Sequence, residues 1–444
     1  MKRHIFPLYL ACLFLAACSA DPAPASAPSI SGPPPNILLI VADDLGWADI
    51  NCYGNPLVQS PHLDQLARTG IQFMQAYAGA PTGRPSRAAL QTGLHPARTG
   101  SKGLSENFET LGELAHKAGL KTAHIGKWQL GEQTNGPENQ GYDHVFAVAE
   151  ASPDSYYYPF FKDHPVADLL TESQEGDYLT DKLTDHAINL VENWQDSSWL
   201  LSLNYYTPHV PLEGRKDQVK AYRALVDSTH WRTFPSLEYA AMISVLDENI
   251  GRLVASLRAT GQLDHTLIIF TSDNGGLHLE HQNPALADHT PPTDNGILRG
   301  GKGTLYEGGI RVPFIVHYPA YAMTTQATTE QVVGMDVFPT IGAVLGQEDY
   351  AATPDGRSLL PILGGNAPGR LRTLHWEAPH GHTAGPTVAV RRGDYKLHVD
   401  EERDSLTYFQ VSALPDESLP MAAPPEEDLI KALRKARKKV GWKQ

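Results

Sequence analysis

The sequence predicts an α/β fold built on a doubly wound sheet, and three observations carry that prediction. Continuous apolar runs at residues 36–42 and 266–271 have the pattern of strands buried on both faces. Stretches of helical period lie between such runs, so strands and helices alternate along the chain. After about residue 330 the pattern changes to short strands at hairpin spacing, which predicts a small antiparallel C-terminal subdomain.

The elements follow in order. Residues 60–70 read as a short helix, with Ser60 at the N-cap, Pro61 in the first turn and Gly70 past the end. Residues 108–118, closed by Gly119, are a second helix. A third spans 178–194, with Leu179, Leu183, Ala187, Leu190, Val191 and Trp194 on one stripe. Residues 199–205 form a strand. Residues 239–260 form a long helix buried through Met242, Val245, Leu246, Leu253 and Leu257. Residues 314–317 add another strand. Segments 387–391 and 395–399 flank Arg392-Gly393-Asp394 and pair as a hairpin. Residues 426–443 are a basic helix whose default is a solvated face, with anionic lipid or glycan as the alternative contact.

The chain has 444 residues, 41% hydrophobic and 19% charged, enough for a large core and too apolar for a disordered chain. The net charge of −14 argues against non-specific nucleic-acid binding. An anionic substrate must therefore meet a local cluster of cations. Lys2 and Arg3 precede an apolar segment at 5–15, and Leu15-Ala16-Ala17-Cys18 resembles a bacterial lipobox. This implies a cell-envelope lipoprotein, on the periplasmic side or outer membrane, with Cys18 lipidated and the lipid as the membrane contact. No later stretch is long and apolar enough to span a bilayer. Residues 19–35, rich in Pro, Ala and Ser, read as a tether. With Cys12 in the signal, Cys52 stands alone and no intrachain disulfide is expected. The expected organisation is signal 1–18, tether 19–35, α/β domain 36–330 and C-terminal subdomain 331–444.

Asp43 and Asp44 follow the first buried strand, and Asp273 and Asn274 follow the strand at 266–271. Ligand sites in open α/β sheets lie at the carboxyl ends of strands. Three carboxylates and an amide converging there call for a cation, and oxygen-only ligands select Ca²⁺, with Mg²⁺ second, over zinc. Ordinary turn chemistry is the competing reading. The run Pro85-Ser86-Arg87-Ala88-Ala89-Leu90 looks like a turn entering a helix, where free N–H groups and the Arg87 guanidinium suit an anion.

Six motifs in a fixed order resemble the type I sulfatases of the alkaline-phosphatase-like superfamily. They are the segment 36–46; Pro85-Ser86-Arg87 with Thr92-Gly93; Gly126-Lys127-Trp128; Pro208-His209-Val210-Pro211; the segment 271–275; and 298–303 through 306–311. The resemblance runs from about residue 36 to 397. It implies a large mixed, mostly parallel sheet flanked by helices and a Ca²⁺-dependent hydrolysis of aryl or carbohydrate sulfate esters. In the family a Cys or Ser two residues before the signature Pro becomes formylglycine, whose hydrate attacks sulfur. Carried over residue by residue, Asp43, Asp44, Asp273 and Asn274 would hold calcium. Arg87, Lys127 and Lys302 would neutralise the nucleophile and the sulfate oxygens, and His209 would protonate the leaving group.

The chain departs from the family at two linked places. Gly83 occupies the nucleophile position, so no formylglycine can form there. Gln129 occupies the position of a family His that partners the formylglycine hydroxyl. Four accounts stay open: a sequence error at Gly83, a substitute nucleophile (Thr82, Ser86 or metal-bound water), an inactive chain that binds sulfated glycans, and a phosphoesterase of the same superfamily. The last needs a second metal with His ligands; the Asp-His pairs are 143–144, 163–164, 264–265 and 288–289. His278 and His281 either line the pocket or are loop residues. His62, His95 and His124 are expected to be structural or exposed, and Trp47 and Cys52 to pack. Tyr205 and Tyr206 contact substrate or fill the core, and Asp294 and Asn295 belong to a substrate loop.

Overall fold

The computed structural model describes residues 33–99, 104, 108–162, 166–229, 236–278, 291–321, 326–366, 371–378, 385–422 and 428–441. The signal with its Cys18 lipobox, the tether up to residue 32, His281, and the Asp-His pairs at 163–164 and 288–289 lie outside these residues.

Eight strands form the large sheet: β1 (Asn36–Ala42), β2 (Ile71–Tyr77), β3 (Lys121–Gly126), β4 (His144–Phe146), β5 (Trp199–Asn204), β6 (Thr266–Ser272), β7 (Phe314–His317) and β8 (Ala327–Val333). Their order is β4-β3-β5-β1-β6-β7-β2-β8. β7 runs antiparallel to β6 and to β2, and every other pairing is parallel. The sheet is thus the mixed, mostly parallel one that the motifs implied. β1 shows why its apolar run is unbroken. Leu38, Ile40 and Ala42 enter the core under one helical layer, and Ile37, Leu39 and Val41 enter the core on the opposite face.

The first face is covered by the helices Pro61–Thr69, Leu179–Asn193 and Leu237–Ala259. The second is covered by Gly83–Thr92, Leu111–Lys117 and Val337–Leu345. The helix at 108–118 starts later than its sequence pattern suggests, because Thr110 and Glu113 form a reciprocal capping box. Ser60 does not cap its helix. Its Oγ accepts from Asn51 N (2.9 Å), and Asp247 of the long helix accepts from His62 N (3.1 Å) and Leu63 N (2.7 Å) instead.

The second sheet is β9 (Thr373–Glu377), β10 (Val388–Arg392), β11 (Tyr395–Asp400) and β12 (Ser405–Gln410), all antiparallel. Arg392 pairs with Tyr395, so Gly393 and Asp394 make a two-residue turn, and Gly393 takes the φ of +57° that such turns demand. The terminal helix is Leu429–Lys439, shorter than the 426–443 read from sequence, with Leu429 and Leu433 packed on Val388, Val390 and Leu397. β8 crosses residue 330 and pairs with β2, and the helix Val337–Leu345 packs on the large sheet. The chain therefore stays with the large sheet past residue 330, and the second sheet opens only at Thr373.

Candidate functional site

Backbone bonds at the carboxyl ends of β3, β5, β1 and β6 bring the predicted residues together. Asp43 N donates to Thr207 O (3.1 Å), Asp273 N to Ala42 O (3.2 Å) and Lys127 N to Asn204 O (2.9 Å). These four adjacent strands deliver Lys127, His209, the Asp43-Asp44 pair and Asp273-Asn274 to one end of the sheet. The helix Gly83–Thr92 adds Arg87 from its first turns, and Lys302 arrives on a loop held by its own N–H on Gly276 O (2.9 Å).

The contacts are close. Lys127 Nζ lies 2.5 Å from Asp43 Oδ2. Arg87 grips Asp273 Oδ2 through Nε (3.0 Å) and Nη2 (2.9 Å), with Asp43 Oδ1 3.4 Å away. Lys302 Nζ donates to Asp44 Oδ2 at 2.8 Å, and His209 Nε2 is 3.5 Å from the same oxygen. His209 Nδ1 sits 2.7 Å from Val210 O, which places a proton on Nδ1, and 3.1 Å from Ser152 Oγ. Asn274 Nδ2 donates to Asp44 Oδ1 (2.8 Å).

The electrostatics follow from burial. Burial pushes the Asp43 carboxyl up, but Lys127, His209, Arg87 and Lys302 together hold it well below the carboxylate range. Burial pushes Asp273 up to about 6; Arg87 opposes this, while Asp43 and Asp44 reinforce it. Burial disfavours the Lys302 ammonium, but Asp44, Asp43 and Asp273 hold its pKa above the usual value.

The donor set fits a hard cation. Asp43 and Asp44 offer carboxylate oxygens within 4.8 Å of each other and of a His209 ring nitrogen, a group that does not include Asp273 or Asn274. Asn274 Oδ1 is buried without a hydrogen-bond partner, as is Gln129 Oε1. Unpartnered buried acceptors beside three carboxylates match the oxygen ligands of Ca²⁺.

Gly83 is the first residue of its helix and is buried. A β-carbon there would lie 2.7 Å from Gln129 Oε1 and 2.8 Å from Asp273 Oδ2. Gln129 and Asp44 both have left-handed backbone, at φ +60° and +63°. Strained conformations at non-glycine residues gather at binding sites.

A family model described as Sulfatase matches residues 35–347. The chain belongs to the sulfatase family. A second model, N-sulphoglucosamine sulphohydrolase, C-terminal, matches residues 301–440. The steryl-sulfatase of Mus musculus is 31% identical, over 81% of this chain and 70% of the relative. The arylsulfatase A of Homo sapiens is 29% identical, over 82% and 75%. The N-acetylgalactosamine-6-O-sulfatase of Bacteroides thetaiotaomicron is 28% identical, over 88% of each chain. Among solved structures, Ps i-CgsB in complex with k-i-k-neocarrahexaose superposes with a TM-score of 0.77 and 27% identity, covering 93% of this chain and 94% of that one. The resemblance drawn from the six motifs thus extends to the whole fold, and the homologues hydrolyse sulfate esters.

The remaining sequence candidates divide by position. His124 is buried, its pKa lowered to about 3, with its ring edge-on to Trp128. His95 stacks on His375 at 4.0 Å. The Tyr205 hydroxyl pairs with Thr184 and that of Tyr206 with Ala147 O, so both fill the core. Trp47 packs under the Arg311 guanidinium. Cys52 is part-buried, and burial raises its thiol pKa. Thr82 is extended and precedes the helix, while Ser86 is a buried residue within it. His144 opens β4 and pairs with His186, and His265 precedes β6, so both stand at the starts of strands rather than at the acidic end.

Two residues were missed. Asn204 Oδ1 accepts from Arg87 Nη1 (3.1 Å); it ends β5, and the strand-end rule that found Asp43 could have found it. Asn295 was placed only on a substrate loop. It is fully buried, accepts from Gly276 N and donates to Gly276 O and Gly300 O, which holds the loop carrying Lys302. No sequence signal points to that role.

Proposed function

We propose that this chain binds the sulfate group of an aryl or carbohydrate sulfate at a calcium site and does not run the formylglycine cycle. Gly83 carries the reading: it has no side chain to oxidise, and Gln129 and Asp273 already crowd the space where one would begin. Removing a covalent nucleophile costs on the order of 10⁶ in rate in the best-studied protease, which is the scale of loss expected here.

Asp43, Asp44, Asp273 and Asn274 would hold the ion. Calcium, when bound, supplies charge compensation for the carboxylates and a contact to a sulfate oxygen. The three carboxylates and three cations of the site balance one another, so a divalent ion leaves the cluster positive toward an anionic ester. Lys127 and Lys302 donate to sulfate oxygens, and Arg87 orients Asp273 beside the N-terminus of the helix Gly83–Thr92. His209, held by Val210 and Ser152, turns Nε2 toward Asp44 Oδ2, from where it would donate to the ester oxygen of a bound sulfate. Named relatives that act on N-acetylgalactosamine 6-sulfates and the carrageenan-bound structure favour a glycan sulfate. The lipobox supports a lipid-anchored envelope location, which labelled-lipid incorporation lost in Cys18→Ala would check.

The test is sulfate release and ligand binding on a panel of aryl and glycan sulfates. The natural chain would run beside Gly83→Cys/Gln129→His matured with the formylglycine-generating enzyme. Binding by both, with turnover only by the variant, is expected. Turnover by the natural chain, abolished by chelator, would overturn the inactive reading and make metal-bound water or Thr82 the nucleophile.

A further inference from the structure

The two departures from the family meet at one point in space. The β-carbon position of residue 83 lies 2.7 Å from Gln129 Oε1 and 2.8 Å from Asp273 Oδ2. Gln129 Oε1 is buried and accepts no hydrogen bond, which costs free energy unless another group meets it. Its residue also holds a left-handed φ of +60°, which L side chains avoid. A neutral amide oxygen has thus been placed, at a cost in both desolvation and backbone, beside a carboxylate of the acidic cluster.

We propose that Gln129 Oε1 is itself a calcium ligand, occupying the space that a side chain at residue 83 would enter. The inference rests on the calcium reading above. It accounts for both departures at once. Gly83 offers no oxygen and leaves the room, and Gln129 reaches into that room with an oxygen. A histidine at 129 would bring a ring nitrogen, which a hard cation takes poorly. Any side chain at 83 would press on Gln129 Oε1, so glycine at 83 is the condition for glutamine at 129 to reach the ion. Asn274 Oδ1, the other unpartnered amide oxygen of the cluster, is its counterpart from the end of β6.

Terbium, a luminescent stand-in for calcium, tests the ligand directly. Emission lifetimes in H₂O and D₂O count the waters on the ion, and calorimetry gives the calcium affinity of the same samples. Gln129→Leu is expected to gain one water and to lose about tenfold or more in calcium affinity. Gln129→Glu is expected to keep the natural water count. Gly83→Ala, which displaces the amide without removing it, is expected to follow Gln129→Leu and serves if that variant does not fold. Calcium affinity and water count unchanged in Gln129→Leu and in Gly83→Ala would overturn the proposal and leave the calcium reading intact. A natural chain that takes up neither ion would overturn both.

Discussion

Two of the charge clusters buried among the described residues differ in what they leave over. At the junction of the two sheets, Lys396 Nζ lies between Glu307 Oε1 (2.9 Å) and Glu417 Oε1 (3.0 Å). Tyr77 donates to Glu307 Oε2 (2.8 Å) and Glu307 N donates to Glu417 Oε2 (2.7 Å). At the strand ends, three carboxylates face three cations, and the amide oxygens of Asn274 and Gln129 accept nothing. The first cluster meets its buried carboxylates with cations, Glu417 Oε1 lying 3.0 Å from both Lys396 Nζ and His398 Nε2, and joins β11 to the residues that follow Lys302. The second keeps acceptors aimed at a shared space, which is the mark of a site for a cation. Buried charge alone does not separate structure from function; the remaining valence does.

Breaking the structural cluster should have the largest effect. Lys396→Met leaves two buried carboxylates without their shared cation, and about 3–5 kcal/mol of stability is expected to go. Urea denaturation would measure it, and a loss under 1 kcal/mol would erase the contrast. Calcium should stabilise the natural chain through the other cluster by about 2.7 kcal/mol at a hundredfold excess over Kd. A thermal scan with calcium or chelator would show it, and an unchanged midpoint would argue against the cation site. In calcium-loaded protein, where the ion also faces Asp44, Lys302→Ala is expected to weaken binding of a sulfated ligand about tenfold or more while moving the denaturation midpoint little. Loss of stability with binding unchanged would move Lys302 to the structural side.

Acid sensitivity supplies the last check. Burial lowers the pKa of His124 to about 3 and of His375 to about 2, with Arg87 adding to the first and His95 to the second. The unfolded chain takes up protons near pH 6.5, whereas the folded chain keeps both rings neutral far below that. Their contribution is therefore present in full above pH 6.5 and falls as pH drops from 6.5 toward 3, by up to about 1.4 kcal/mol per unit for each ring. Denaturation midpoints at pH 7.5 and 5.5 would check the sign.

Much of this was legible in one dimension. β1 and β6 announced themselves because a strand covered on both faces must be apolar at every position. Asp43, Asp44, Asp273 and Asn274 followed because ligands collect where such strands end. β2, interrupted by Gln72 and Gln75, and the three-residue β4 carried no comparable pattern. The antiparallel course of β7 was equally silent, since four buried residues read the same in either direction.

Residue types and their order along the chain determined the family, the strand-end acids and the absence of a nucleophile at Gly83. Those are properties of what a residue is, and glycine has no side chain in any fold. The tertiary structure alone decided which groups share a space. It put Asp247 rather than Ser60 on a helix start, Asn295 behind the Lys302 loop, and Gln129 Oε1 where a side chain at 83 would begin. Such contacts join residues tens to hundreds of positions apart, and no local propensity or spacing encodes a distance that only the packed core sets.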